Sequence, residues 1–201
     1  MYKVYGRPFA GSLIAEFLLS EANEKYEFIK IDYDTSKQDE FLNKNPLGKI
    51  PVLECPDGHL VFETTAIVAH IVETKNILIP EIETQQRDLY NQSMSIMSTS
   101  IYQNYHHINH SYYYVSEENY DDLRNMATTR QATLYNYIES ILNPYLCGEE
   151  ITAADFYLYM ISAWDQNRKK LFTDRPKLSS LIKELSDRPS IKKVIISHSN
   201  L

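Results

Sequence analysis

The sequence has few cysteines and no long apolar run. Its two cysteines, Cys55 and Cys147, lie far apart and form no C-x-x-C motif, so we expect buried thiols rather than disulfides. No apolar stretch approaches the ~20 residues of a membrane-spanning helix. Met1-Tyr2-Lys3 lead directly into a predicted strand, so we expect no signal peptide. These features predict a cytoplasmic protein that does not act at a membrane.

Positive charge is also scarce. The 20 lysines and arginines stand against 27 aspartates and glutamates, which leaves a formal net charge of −7. Such a balance argues against nucleic acid or an anionic membrane surface as the main partner. A phosphate loop of the G-x-x-x-x-G-K type is missing too, because Gly48-Lys49 lack the required first glycine.

The chain is nevertheless long enough to fold around a substantial core. Its 201 residues allow one large domain or two small ones, and its 43% of hydrophobic residues are typical of a globular protein. The sixteen tyrosines are the one compositional oddity.

The first part of the chain alternates between strands and helices. Strand patterns over residues 3–5 and 26–32 flank a helix that begins at Ser12, so we expect these strands to be parallel through a right-handed crossover. Residues 33–44 are polar and predict a short irregular helix. Another helix is expected over residues 65–74.

Residues 45–67 predict a loop, a hairpin and the start of a helix. Its two strands are residues 52–55 and 60–63, joined at Pro56-Asp57-Gly58, where proline and glycine favour a tight turn. Thr64 or Thr65 then offers a hydroxyl to the free N–H groups of the helix that follows. This arrangement places a backbone edge beside a helix N-terminus.

Residues 77–84 contain a proline and lose periodicity, which predicts a linker. It divides an α/β domain, residues 1–76, from residues 85–201, in which we expect helices only. One long helix is predicted over residues 85–114 and another over residues 116–145.

The end of the chain contains three further helix signals. Thr152 and Asp155 are spaced as a capping box at a helix start. Two shorter helices are predicted from about Leu178 and Ser190.

Several of these motifs resemble a known family. They are Asn45-Pro46-Leu47-Gly48-Lys49-Ile50-Pro51-Val52-Leu53 and, a hairpin later, Glu63-Thr64-Thr65-Ala66-Ile67. Both resemble the glutathione-binding half of the cytosolic glutathione S-transferases, with isoleucine for valine and threonine for serine. Thr152-x-x-Asp155 and Arg188-Pro189 match the helical domain of that family. The resemblance implies a thioredoxin-like α/β N-terminal domain, an all-α C-terminal domain and a homodimer.

The resemblance also implies that glutathione is the co-substrate. Its backbone would pair with Ile50 beside a cis Ile50–Pro51 bond, as an added strand pairs with a sheet edge. Glu63 would face its ammonium group, and Thr64 at the helix N-terminus would receive the γ-glutamyl carboxylate. Lys49 is assigned to the same site. In the alternative interpretation, this segment is a plain hairpin and helix cap with a solvated Glu63.

The thiol of glutathione must be ionised to react. Its pKa near 8.5 has to fall by about two units. Ser12, at a helix start, is the first candidate donor to the thiolate, although it could serve only as an N-cap. Tyr5 lies where tyrosine-type transferases carry their hydroxyl, although it could be a packed strand residue. Backbone N–H groups of Gly11 and Ser12 are the third possibility.

The loop Tyr5-Gly6-Arg7-Pro8-Phe9-Ala10-Gly11-Ser12-Leu13 resembles the bacterial beta class, Pro-Gly-Ala-Cys-Ser-Leu. However, Gly11 stands where that class has its cysteine. The departure argues against mixed-disulfide chemistry with glutathione.

An aromatic stripe predicts the site of the second substrate. In the family the predicted long helix lines the electrophile pocket. The residues that share one face of it at helical spacing are Tyr102, Tyr105, His106, Asn109 and Tyr113. Trp164 matches the pocket tryptophan of the beta class, and part of the stripe could instead pack between domains or subunits. The residues assigned to this pocket are Phe9, Tyr102, Tyr105, His106 and Trp164.

His106 and His110 lie one helical turn apart, but no carboxylate or cysteine lies within a turn to complete a ligand set. We therefore predict no metal site. The predicted function is conjugation of glutathione to a small hydrophobic or aromatic electrophile. The alternatives are a glutathione-dependent peroxidase or disulfide reductase and a non-catalytic module that binds protein partners.

Overall fold

The computed structural model describes residues 1–200. The chain forms two compact units. The first contains residues 1–79 and the segment that begins at Glu184, and the second contains residues 80–183. The C-terminal segment therefore belongs to the first unit although it follows the second in the sequence. The division into residues 1–76, 77–84 and 85–201 stays a prediction.

A mixed four-stranded sheet lies at the centre of the first unit. The strands are β1 Tyr2–Gly6, β2 Tyr26–Lys30, β3 Val52–Glu54 and β4 Leu60–Phe62. The strand order is β2-β1-β3-β4, with β1 parallel to β2 and antiparallel to β3. The β1–β2 pair confirms the predicted parallel pairing, and the antiparallel β3–β4 pair confirms the hairpin.

Helices cover the sheet because successive strand residues point to opposite faces. The helices are α1 Leu13–Glu21, α2 Asp39–Leu42, α3 Thr64–Lys75 and α10 Pro189–His198, with a 3₁₀ turn at Thr35–Lys37. The helix α1 packs against α3 and α10, and its Phe17 is fully buried. Tyr5 and Val52 belong to a second buried cluster with Phe41 of α2.

The second unit is helical. Apart from an isolated bridge between Tyr145 and Gly148, residues 80–183 contain no strand pairing, as expected. No helix of residues 1–200 is both long and apolar enough to span a membrane. The helices are α4 Gln85–Ile96, α5 Tyr102–Asn109, α6 Tyr120–Ile141, α7 Ala153–Ser162, α8 Arg168–Thr173 and α9 Pro176–Asp187, the last of which continues past the unit boundary.

The two long helices predicted in this unit are both shorter than expected. The first contains a π-helical turn at Met97–Ile101 and ends at Asn109, where the backbone of His110 leaves the helical region. The second ends at Ile141, because Pro144 disfavours helical backbone in the residue before it. The predicted extensions to residues 114 and 145 are therefore wrong.

The predicted capping box is confirmed. The backbone N–H of Thr152 donates to Oδ2 of Asp155 at 2.8 Å, and the N–H of Leu146 donates to Oδ1 at 2.9 Å. Asp155 is fully buried, and this burial raises the pKa of its carboxyl to about 6. The box thus joins the start of α7 to the chain that precedes it.

Candidate functional site

A loop closed by the side chain of Asn45 leads into β3. Asn45 is buried, and its Nδ2 donates to the carbonyl of Lys49 at 2.8 Å while its Oδ1 accepts from the N–H of Leu47 at 3.0 Å. Gly48 has a φ of 61°, and an added Cβ would lie 3.1 Å from the carbonyl oxygen of Ser36. Asn45 belongs to the motif recognised in the sequence, but its role in closing this turn was not predicted. The preference of asparagine for closing such turns was the available signal.

The loop delivers a cis Ile50–Pro51 bond, as the resemblance implied. Val52 of β3 pairs with Phe62 of β4. Pro51 precedes Val52 and Glu63 follows Phe62, so both lie at the open end of the hairpin. The structure therefore brings the predicted glutathione-binding residues of both motifs to one edge. Lys49 is exposed just before this edge.

The start of α3 differs from the expectation. Glu63, and neither threonine, occupies the N-cap position, with φ 69° and ψ 124° and no cap hydrogen bond from its side chain. The predicted threonine cap is wrong because Thr64 already lies inside the helix. The N–H groups in the first turn of α3 have no carbonyl partner within the helix, so they form a site suited to an anion.

Glu63 itself is exposed beside that helix end. A residue other than glycine at positive φ is strained, and such strain concentrates at functional sites. A carboxylate next to a helix N-terminus matches a zwitterionic ligand that carries an ammonium and a carboxylate on neighbouring atoms.

The hydroxyl of Ser12 is turned toward the protein backbone. Ser12 is fully buried, and its Oγ donates to the carbonyl of Arg7 at 3.2 Å. The close approach of this side chain to Gly6 leaves no room for a Cβ there. Ser12 occupies the N-cap position of α1 without a side-chain cap hydrogen bond.

Tyr5 is also buried and engaged. Its hydroxyl donates to Oε2 of Glu54 at 2.7 Å, and Lys3 and Lys44 hold the same carboxylate at 2.6 and 3.0 Å. Burial and the Glu54 carboxylate raise the pKa of Tyr5. The hydrogen bonds from Lys3, Tyr5 and Lys44 lower the pKa of Glu54 to about 2. The phenol thus stays protonated and already has an acceptor.

The loop before α1 presents backbone groups. Among residues 1–200, the N–H groups of Gly11 and Ser12 donate no backbone hydrogen bond. Phe9 has a φ of 57°, and its N–H donates to Nδ1 of His198 at 3.2 Å. His198 thus contacts the loop that precedes α1, a contact that was not predicted from the sequence. No local pattern could have found it, since 189 residues separate the two.

Three of the predicted electrophile-pocket residues form an aromatic group in the second unit. The ring of Trp164 lies 5.0 Å from that of Tyr102 and 6.2 Å from that of Tyr105, edge to face in both cases. Tyr102 and Trp164 are half-buried, whereas Tyr105 is buried. Burial raises the pKa of Tyr105. Its hydroxyl donates to Oδ2 of Asp165 at 3.1 Å and lies 3.0 Å from the hydroxyl of Tyr135.

His106 and Phe9 lie elsewhere. His106 stacks on Tyr113, with ring centroids 6.0 Å apart, and its Nδ1 lies 2.8 Å from the hydroxyl of Tyr114. Phe9 belongs to the first unit, where its exposed ring contacts His198. A cavity of about 310 Å³ in the second unit is lined by Tyr105 but by none of the other predicted pocket residues.

Two family models match the chain. Residues 1–73 match the N-terminal domain of glutathione S-transferase, and residues 103–198 match its C-terminal domain. The uncharacterized GST-like protein YncG of Escherichia coli K12 is 24% identical over 200 residues, 97% of each chain.

Solved structures show the same fold. A glutathione transferase homolog from Sulfitobacter with bound glutathione has a TM-score of 0.88 at 20% identity, over 98% of both chains. A beta class enzyme from Sphingomonas chungbukensis has a TM-score of 0.85 at 23% identity, over 99% of this chain and 100% of that one. The chain therefore belongs to the glutathione S-transferase family, with a thioredoxin-like N-terminal domain and a helical C-terminal domain.

Proposed function

We propose that this protein is a glutathione transferase that joins the sulfur of reduced glutathione to a small hydrophobic or aromatic electrophile. The observation that carries the proposal is the shared edge formed by Ile50-Pro51 and the strained Glu63 at the start of α3. Among residues 1–200, the N–H of Ile50 donates no backbone hydrogen bond. The carboxylate of Glu63 and the N-terminus of α3 lie at the same end of the hairpin.

Each part of glutathione has a matching group there. The cysteinyl backbone pairs with the N–H and C=O of Ile50, in the manner of an added strand. Glu63 attracts the γ-glutamyl ammonium, and the N–H groups at Thr64 and Thr65 receive the neighbouring carboxylate. The exposed Lys49 attracts the carboxylate at the other end of the tripeptide.

Of the three possible donors to the thiolate, we favour the N–H groups of Gly11 and Ser12. The hydroxyl of Ser12 already donates to the carbonyl of Arg7, and that of Tyr5 donates to the carboxylate of Glu54. Lowering the thiol pKa by two units requires about 2.7 kcal/mol. One hydrogen bond to a charged group contributes ~1.5–3 kcal/mol and the helix dipole ~0.3–1 kcal/mol, so two backbone donors suffice.

The proposed reaction is attack of the glutathione thiolate on an electrophilic carbon. On binding, glutathione loses its thiol proton to solvent, and the thiolate sulfur forms a bond to the electrophilic carbon. With a chloronitrobenzene, chloride departs with the electron pair of the broken C–Cl bond. Aromatic side chains suit such a flat electrophile. We propose Tyr102, Tyr105 and Trp164, whose rings lie together in the second unit, for this role.

Calorimetry with reduced glutathione and a chloronitrobenzene assay test the proposal together. We expect saturable heat at millimolar glutathione, turnover, and loss of both in Glu63→Ala. Absence of any heat from the wild-type protein would remove the proposed function, and the fold assignment would stand.

A second candidate is glutathione binding without turnover. It is favoured by the engaged hydroxyls of Ser12 and Tyr5 and by Gly11 at the position of the beta-class cysteine. Heat of binding without conjugation, and without reduction of a peroxide or a disulfide, would select it. Reduction without conjugation would instead select the peroxidase or reductase alternative.

Location and assembly belong to the same proposal. The free thiols of Cys55 and Cys147 are typical of a reducing compartment, which supports a cytoplasmic protein. Homodimerisation is implied by the family resemblance. Light scattering on the purified protein measures the mass directly, and we expect twice the 23.5 kDa of one chain.

A further inference from the structure

A cysteine and two histidines meet at the closed end of the hairpin. Cys55 follows β3, His59 precedes β4, and His70 lies on α3. One potential ligand atom from each lies within 4.8 Å of the other two. The glutathione edge is at the opposite, open end of the same hairpin, so this cluster is separate from the site described above.

The distances within the cluster are close to those of a metal centre. Donors on a tetrahedral zinc ion, ~2.1 Å away for nitrogen and ~2.3 Å for sulfur, lie about 3.3–3.6 Å apart. Sγ of Cys55 lies 3.2 Å from Nε2 of His70, and the rings of His59 and His70 have centroids 5.3 Å apart. The three potential ligand atoms, all within 4.8 Å of one another, are therefore near the spacing that a single ion requires.

The backbone of the turn fixes two of the ligands. The N–H of Cys55 donates to the carbonyl of His59 at 2.9 Å, and the N–H of Gly58 donates to the carbonyl of Cys55 at 2.8 Å. These bonds hold Cys55 and His59 on the same side of the turn. Gly58 has a φ of 92°, which this tight turn requires.

Charged neighbours suit a cation. Oδ1 of Asp57 lies 2.6 Å from Nδ1 of His59, which leaves Nε2 available as a ligand. A carboxylate bonded to a histidine in this way orients it for metal binding. Lys75, the cation on the same helix as His70, is paired with Glu24 at 2.6 Å. His59 is exposed, which gives an ion access from solvent.

We propose that Cys55, His59 and His70 bind one divalent transition metal ion of the zinc class, with a fourth position open to water. Thiolate and imidazole are the ligands that such ions prefer. Binding displaces the thiol proton of Cys55 to the buffer, and the ion ties the hairpin turn to α3. The Cys-x-x-x-His spacing at residues 55–59 was a sequence signal for this metal site. Only the fold brings His70 next to these two residues.

Cobalt titration tests the site in the whole chain. The protein is stripped with a chelator, kept reduced without glutathione, and titrated with Co²⁺. We expect saturation at one equivalent with a thiolate-to-cobalt absorption band, and displacement of that band by Zn²⁺. Cys55→Ser should abolish the band, and His59→Ala should weaken binding at least tenfold.

The controls are the other cysteine and a histidine outside the cluster. Cys147→Ala and His106→Ala should bind cobalt as the wild type does. Absence of a saturable band in the wild type, a band that survives Cys55→Ser, or equal affinity in His59→Ala and His106→Ala would overturn the proposal. Since His59 is exposed, its replacement should leave the fold intact. Glutathione calorimetry on His59→Ala shows whether the other site is unaffected.

Discussion

Nε2 of His198 lies 2.8 Å from Oε1 of Glu16, and both side chains are buried in the first unit. Because Nδ1 of His198 accepts from the N–H of Phe9, Nε2 carries the proton and donates it to Glu16. Burial raises the pKa of Glu16, which also accepts from Tyr26. The last helix of the chain thereby holds the loop that precedes α1.

Replacing His198 tests this connection. We expect His198→Phe to lower the free energy of unfolding by roughly 1–3 kcal/mol, because it leaves two hydrogen-bonding partners buried without this histidine. Glutathione affinity should also fall, since the loop that carries Gly11 loses its anchor at Phe9. Urea denaturation and calorimetry measure the two effects. Glu16→Gln retains an acceptor and should cost less; equal stability of His198→Phe and wild type would contradict this account.

The strain at Glu63 gives a second prediction. Glycine adopts positive φ freely, whereas alanine does not. We expect Glu63→Gly to be more stable than Glu63→Ala by about 1–2 kcal/mol. Neither variant should bind glutathione detectably, because both lack the carboxylate. Paired denaturation curves and calorimetry check this. Tight binding by either variant would show that Glu63 does not contact the ligand.

The thiolate donor can be identified by single substitutions. If the backbone of Gly11 and Ser12 holds the sulfur, Ser12→Ala and Tyr5→Phe should each lower kcat/KM less than tenfold. A side-chain donor to a developing or bound anion would cost about 10²–10³ in rate. The ultraviolet absorption of bound thiolate against pH measures its pKa directly. A clear rise of that pKa in Ser12→Ala would assign the role to the serine hydroxyl.

The ion pairs of Glu54 make stability depend on pH. The pKa of Glu54 is about 2 in the folded protein against an ordinary value of 4.5. Its contribution to the free energy of unfolding is therefore complete above about pH 4.5 and is lost as pH falls toward 2. Glu54→Gln should therefore lose less stability than the wild type over that window. Thermal unfolding at several pH values measures the difference. Glu27→Gln, an exposed change on β2, is the matched control and should follow the wild type.

Local signals determined most of the N-terminal fold. The βαβ order follows from hydrophobic periodicity, and the hairpin follows from Pro56-Asp57-Gly58, because turn chemistry acts over a few residues. The capping box of Thr152 and Asp155 was equally readable, since its partners are three residues apart. The family resemblance then supplied the cis bond at Pro51. These features depend on neighbours in the sequence, so the sequence alone predicted them.

The tertiary structure decided what the individual side chains do. Ser12 and Tyr5 were both reasonable donors by position, but folding places the carbonyl of Arg7 and the carboxylate of Glu54 within hydrogen-bond reach of them. His70 reaches Cys55 for the same reason. A hydroxyl or imidazole binds whichever polar group the packed chain brings nearest, and that partner can be many residues away. Sequence periodicity carries no record of such pairings.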